Sequence, residues 1–210
     1  MNENLKRAGA LKIQQLAKKL EACNFGVTCV ETKEEALAYL KEVIPQGASI
    51  GVGGSATLTE CGVLDWLTGN KDYNFLDRYH TDDVKKVFHE SLSADVYLMS
   101  TNAVTMEGQL YNVDGTGNRT AALIYGPEKV YVLCGVNKIV KDLDEAIKRV
   151  EMITAPANNL RLNKENACTK TGSCVHCYAS TSTCNQFVIT RRSGIQGRIH
   201  LILINEALGF

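Results

Sequence analysis

Four cysteines, Cys168, Cys174, Cys177 and Cys184, stand in the pattern C-x5-C-x2-C-x6-C. A C-x2-C pair can grip one metal centre through two neighbouring thiolates, and the two flanking cysteines complete four ligands. Thiolates are soft donors, so zinc and an iron–sulfur cluster both suit the set, although the spacing departs from the zinc-ribbon arrangement of two C-x2-C pairs. Gly172 and the small residues Ser173, Ala179, Ser180 and Ser182 suit a loop that wraps such a centre closely. His176 lies between Cys174 and Cys177, whose own thiolates take that corner, so it is not expected to be a ligand. Four reduced loop cysteines, or one disulfide, are the plainer alternatives. The other four cysteines, Cys23, Cys29, Cys61 and Cys134, are scattered among apolar neighbours and read as core filler.

A second set of polar residues gathers in residues 94–119. Val96 to Met99 is an apolar run too short for a helix and suited to a buried strand. A hairpin turn is expected at Met106-Glu107-Gly108-Gln109, and the return strand, Leu110 to Val113, delivers Asn112, Asp114, Gly115 and Gly117 to a helix spanning Thr116 to Tyr125. Upstream, Gly51-Val52-Gly53-Gly54-Ser55-Ala56-Thr57 also leads from a strand into a helix. Consecutive N–H groups at Gly53, Gly54 and Ser55, with the hydroxyls of Ser55 and Thr57, can face an anion. The loop lacks the lysine of a P-loop and the full dinucleotide-binding spacing, and the same glycines also suit a tight strand-to-helix turn. Asn112, Asp114, Gly115, Thr116 and the planar fork of Arg119 would face that anion across a cleft. Glu107 and Asp114 are the candidate acid/base groups. Each has a plainer reading, Glu107 as an exposed turn residue and Asp114 as a helix cap or turn residue.

The elements that must position these groups alternate along the chain. Residues 3–23 form an amphipathic helix, Phe25 to Val30 a strand, and Glu34 to Val43 a helix capped by Thr32. Ala48 to Val52 is a strand, Leu58 to Leu67 a helix, Asn74 to Leu76 an edge strand, and Asp82 to Leu92 a helix capped by Thr81 or Asp82. Lys129 to Cys134 is a strand, Asp142 to Ile153 a helix that ends before Pro156, and Phe187 to Thr190 and Arg198 to Ile204 complete the strands. Short apolar strands alternating with helices predict an α/β fold with a mainly parallel sheet. Residues 157–186 break the pattern and read as a Cys-rich excursion from a single domain over 1–210.

Of the 210 residues, 45% are hydrophobic and 22% charged, which allows a buried core; formal net charge is zero. That balance gives no reason to expect a nucleic-acid partner, and no run is long enough for membrane insertion. The polar N-terminus carries no secretory pattern, so a cytoplasmic location with reduced thiols is expected. His80 and His89 read as solvated, and His200, inside an apolar strand, as a satisfied core residue.

The glycine loop, the stretch Val104-Thr105-Met106-Glu107-Gly108-Gln109-Leu110-Tyr111-Asn112-Val113-Asp114-Gly115-Thr116-Gly117-Asn118-Arg119 and the tail Gly197-Arg198-Ile199-His200-Leu201-Ile202-Leu203-Ile204 together resemble the LUD domain, the family of lactate-utilisation C-type proteins. The resemblance spans essentially the whole chain. It implies the three-layer fold of glucosamine-6-phosphate deaminase, ribose-5-phosphate isomerase and the CoA transferases, with helices on both faces of the sheet. It also implies a role in oxidation of lactate or a related hydroxy acid, iron–sulfur partner subunits and a homo-oligomer. The link to iron–sulfur partners tilts the cysteine set toward a [4Fe–4S] cluster rather than zinc, although short family members lack the cysteine segment. A more distant likeness to methylthioribose-1-phosphate isomerases aligns Asn102 with their catalytic aspartate and Val113 with their lysine. Asparagine cannot exchange protons near neutral pH, so that mechanism does not carry over intact. Two rival readings follow: an isomerase-, deaminase- or CoA-transferase-like enzyme using Glu107 or Asp114, and a metal-dependent sensor with a vestigial site.

Overall fold

Three strands with near-continuous apolar sequence dominate the centre of the fold, as expected where a sheet is covered on both faces. The computed structural model describes residues 2–210. In chain order the elements are α1 (Glu3–Ala22), β1 (Gly26–Val30), α2 (Lys33–Val43), β2 (Ser49–Val52), α3 (Ala56–Glu60), α4 (Val63–Leu67) and β3 (Asn74–Phe75). Next come α5 (Val84–Ser91), β4 (Val96–Ser100), β5 (Ala103–Thr105), β6 (Leu110–Asp114), α6 (Asn118–Ile124), β7 (Lys129–Gly135) and β8 (Ile139–Val140). The chain finishes with α7 (Leu143–Arg149), α8 (Ala155–Arg161), α9 (Cys168–Thr171), β9 (Gln186–Thr190) and β10 (Ile199–Ile204).

Six strands form a parallel sheet in the order β1-β10-β7-β4-β2-β3. Side chains alternate across it with period two. Tyr97, Met99, Val130, Val132, Ile199, Leu201 and Leu203 pack on one face with Ile13, Leu16 and Leu20 of α1. Val96, Leu98, Tyr131, Leu133, Ile202 and Ile204 pack on the other with Ala36 and Leu40 of α2 and with Leu58, Val63 and Leu67 of α3 and α4. The expected α/β architecture, a parallel sheet between helical layers, is observed.

The predicted hairpin forms, but outside the main sheet. β5 and β6 pair antiparallel, β8 joins β5 in parallel and β9 joins β6 antiparallel, giving a separate four-stranded sheet, β8-β5-β6-β9. The helix expected over Leu58–Leu67 is two short helices, because Gly62 at φ 71° turns the chain between them. The helix over Thr116–Tyr125 begins later, at Asn118, after Gly117 at φ 88°. α5 is capped by Asp83 rather than by Thr81 or Asp82, its side chain accepting the Lys86 N–H at 2.9 Å.

Pro156 does not end a helix as expected. α7 passes through a π turn over Val150–Thr154 into α8, with Pro156 in the first turn of α8. In the wider turn the Ala155 N–H bonds the Val150 carbonyl. The next donor in that register would be residue 156, and proline has none. The Glu151 carbonyl is left over, and the Cys174 N–H takes it at 2.8 Å. The excursion therefore starts later than residue 157 and is tied back to the helix by that helix's own irregularity.

Candidate functional site

The parallel strands β2, β4 and β7 all run the same way, so the chain leaving each arrives at one edge of the sheet, where open α/β sheets bind ligands. The segments after them, Gly54–Ala56, Ser100–Asn102 and Lys138, line a cleft of about 570 Å³. Asp114 to Thr116 and Arg119 form a second side, and Asn158, Arg161, Lys164 and residues 180–183 a third.

Lys138 is the floor of this cleft. It is 3% exposed, and its Nζ donates to Thr57 Oγ1 at 2.7 Å and Ser100 Oγ at 3.0 Å. An ammonium has three donors, and among the described residues no carboxylate lies within ion-pair distance of it. Burial above all lowers its pKa to about 8, with Cys134 and Glu60 opposing and the nearby Arg149 and Arg119 assisting. Arg78, Arg161 and Lys164 also line the cleft, Arg78 with its guanidinium 4.6 Å from the Phe88 ring centroid. Asp114 is the one acidic side chain in the lining.

Arg119 occupies the centre of a closed network. Its Nε donates to Asp114 Oδ1 at 2.8 Å, and Nη1 donates to the Ser100 carbonyl at 2.9 Å and to Asn112 Oδ1. Nη2 donates to Asn102 Oδ1 and to the Val113 carbonyl, each at 3.0 Å, and lies 2.6 Å from Asp114 Oδ1. All five N–H groups of the guanidinium thus have protein partners. Asp114 spends its second oxygen on the Thr120 N–H at 2.9 Å, and Asn102 Oδ1 also accepts the Val113 N–H at 2.8 Å. Arg119 locks the ends of β4 and β6 together. As an anion clamp it would first have to release one of these bonds.

Other expected residues fall into place around the cleft. Gly54, Ser55, Asn102, Asp114, Gly115, Thr116 and Arg119 line it. Gly53 and Thr57 do not. The Gly53 N–H is used in the sheet, on the Leu98 carbonyl at 2.9 Å, and a Cβ there would lie 3.2 Å from Arg119 Cδ, so glycine admits the arginine stem. Thr57 is fully buried beneath, holding Lys138 and donating to the Leu208 carbonyl at 3.3 Å. Ser55 caps α3 through the Leu58 N–H at 3.3 Å. Asn112 is buried behind Arg119. Glu107 is exposed on the hairpin turn, outside the cleft lining. Gly115 lets the cysteine segment approach, since a Cβ there would sit 3.0 Å from Thr183 Cα. His200 packs between Tyr39 and Tyr131, its Nε2 2.9 Å from Thr28 Oγ1. Burial, and then Lys129, lower its pKa to about 4, so it is a neutral core histidine.

Sequence reasoning missed Lys138, Arg78, Arg161 and Lys164. Only the sheet order could have found Lys138, because it places the end of β7 beside that of β4.

The four cysteines come together at a second cavity, of about 370 Å³, between the π turn, α9 and the 174–187 segment. Cys168 is buried and the other three are half-buried. The set was expected to bind metal; among the described residues no three His, Cys, Asp or Glu side chains converge on a position for a single ion. Two buried amides support the loop from behind. Asn159 Nδ2 donates to Thr183 Oγ1 at 2.9 Å, and Asn166 Nδ2 donates to Asn159 Oδ1 at 2.6 Å and to the Thr181 carbonyl at 3.1 Å. Ser182 and Asn185 line both cavities, so one thickness of chain separates them.

Residues 13–204 match a family model described as the LUD domain. No curated protein matches the chain. A crystal structure of a DUF162 family protein from Deinococcus radiodurans is similar over 93% of this chain and 98% of that one, with a TM-score of 0.53 and 17% identity. At that identity the likeness speaks for the fold. No helix among the described residues is long and apolar enough to cross a membrane.

Proposed function

The chain belongs to the LUD domain family, and from that premise we propose a lactate-utilisation-related role in which the cleft binds a small organic acid or sugar-phosphate-like anion. One observation carries the reading. Among the described residues Lys138 is a buried cation with no carboxylate partner, and besides the committed Arg119 three further cations line the same cleft in a chain of zero net charge. An unpaired buried charge is costly to keep. An anion entering from solvent would complete it, with the remaining Nζ donor and the Arg78, Arg161 and Lys164 side chains as partners. Asp114, committed to Arg119 and Thr120, stays clear of that role.

A proton-transfer reading of the same cleft is favoured by the pKa of about 8 at Lys138. A group titrating near neutral pH can exchange a proton with a bound hydroxy or oxo acid. In the isomerase-like alternative Lys138 then joins Asp114 as an acid/base candidate, while Glu107, outside the cleft, drops out.

The test is calorimetric titration with L-lactate, glycolate, inorganic phosphate and ribose 5-phosphate. Saturable binding of at least one is expected, with the Lys138→Met variant losing at least about tenfold in affinity, or ~1.4 kcal/mol. Absence of binding throughout, or equal affinity in the folded variant, would overturn the proposal.

A further inference from the structure

We propose that Cys168, Cys174, Cys177 and Cys184 hold a [4Fe–4S] cluster in the cavity they share. All four cysteines line that one cavity, together with Val150, Ala155, Val175, Tyr178 and Phe187. Their arrangement distinguishes a cluster from a single ion. A tetrahedral zinc site with Zn–S near 2.3 Å brings its four sulfurs within about 3.8 Å of one another. Here the four cysteines line one cavity of about 370 Å³, and among the described residues no three of them converge on a position for a single ion. A cluster suits that spread, because each thiolate binds a different iron at a different corner.

Local backbone geometry agrees. The His176 N–H points at Cys174 Sγ at 3.3 Å, the kind of amide-to-sulfur contact that stabilises a ligating thiolate. His176 itself is held at φ 51°, a left-handed conformation unusual for a residue other than glycine, and its ring is exposed. The turn thus gives up backbone comfort where the chain brings Cys174 and Cys177 to the cavity. Cys174 is anchored to the Glu151 carbonyl that the π turn frees, and π turns recur at functional sites.

Other roles for the thiols fit less well. A nucleophilic cysteine needs a cation or helix N-terminus that favours its thiolate. Among the described residues no lysine or arginine lines this cavity, and α9, which Cys168 opens, is only four residues long. Cluster binding removes that difficulty, because each thiol gives up its proton as its sulfur bonds to iron. The buried Asn159 and Asn166 network supports the loop through residues other than the four cysteines.

The experiment is anaerobic purification of the full chain, followed by reconstitution with iron, sulfide and a thiol reductant. About four iron and four sulfide per chain are expected, with broad visible charge-transfer absorption. Cys174→Ser and Cys177→Ser should each lose most of that absorption while far-ultraviolet circular dichroism is retained. Cys29→Ser, on a strand away from the cavity, should keep both. One zinc per chain without sulfide, a disulfide among the four, or four freely alkylated thiols after reconstitution would each overturn the proposal. Among the described residues no cysteine lines the anion cleft, so this result stands apart from the outcome of the anion titration.

Discussion

Arg119 shows how one side chain converts three loop ends into a rigid wall. Its planar fork reaches the Ser100 and Val113 carbonyls, two asparagine side chains and Asp114, an arrangement that a lysine's compact ammonium cannot copy. Removing it leaves Asp114 buried without its partner. Arg119→Ala is therefore expected to cost on the order of 3–5 kcal/mol, read from the urea midpoint at unchanged slope. Arg119→Lys should recover only part of the loss. A cost below about 1 kcal/mol would show that the network is incidental.

Among the elements, the β5–β6 hairpin depends on one glycine and on α1. Gly108 turns at φ 86°, and a Cβ there would lie 3.4 Å from the Lys19 carbonyl at the end of α1. Left-handed backbone costs an ordinary L-residue about 1–2 kcal/mol. Gly108→Ala should destabilise the protein by that amount in chemical denaturation, and Gly108→Asn by less, since asparagine tolerates the conformation better. Equal stability of all three would mean that the turn relaxes away from α1. The π turn is the other element with a distinct consequence: a proline at the head of α8 decides where the cysteine loop is tied.

For the whole molecule, the unpaired Lys138 links stability, pH and ligand. Its folded pKa of about 8 lies below the ordinary lysine value of about 10.4. Between those values the unfolded chain holds a proton that the folded one lacks, so this residue's contribution to stability rises with pH across that window. Below pH 8 both states are charged and the burial penalty is felt in full. An anion that offsets the charge should stabilise the fold most below pH 8, by up to about 2.7 kcal/mol at a hundredfold excess over Kd, and raise the melting temperature accordingly. The gain should fade as pH climbs past 8. Thermal melts with and without saturating ligand on either side of pH 8 check this. A pH-independent gain, or the same gain in Lys138→Met, would contradict it.

Sequence alone determined most of the layered fold. Period-two and near-continuous apolar runs in β4, β7 and β10, the amphipathic α1 and the Thr32 cap of α2 are local signals, and each formed where those signals stood. The hairpin was legible for the same reason, since the stretch spans few residues. What only the tertiary structure decided involves partners far apart in the chain. Lys138 meets Thr57 across 81 residues, and nothing in Val136-Asn137-Lys138-Ile139 marks it as a buried charge. Whether Arg119 is free or fully bonded depends on five acceptors from three strand ends, which no spacing rule counts. Pro156 reads as a breaker because its missing N–H is a local fact. The structure absorbs that loss in a π turn, because the orphaned Glu151 carbonyl finds its donor 23 residues later at Cys174. Periodicity is a property of neighbours along the chain, whereas charge compensation and hydrogen-bond satisfaction are properties of neighbours in space, and the candidate site is made of the second kind.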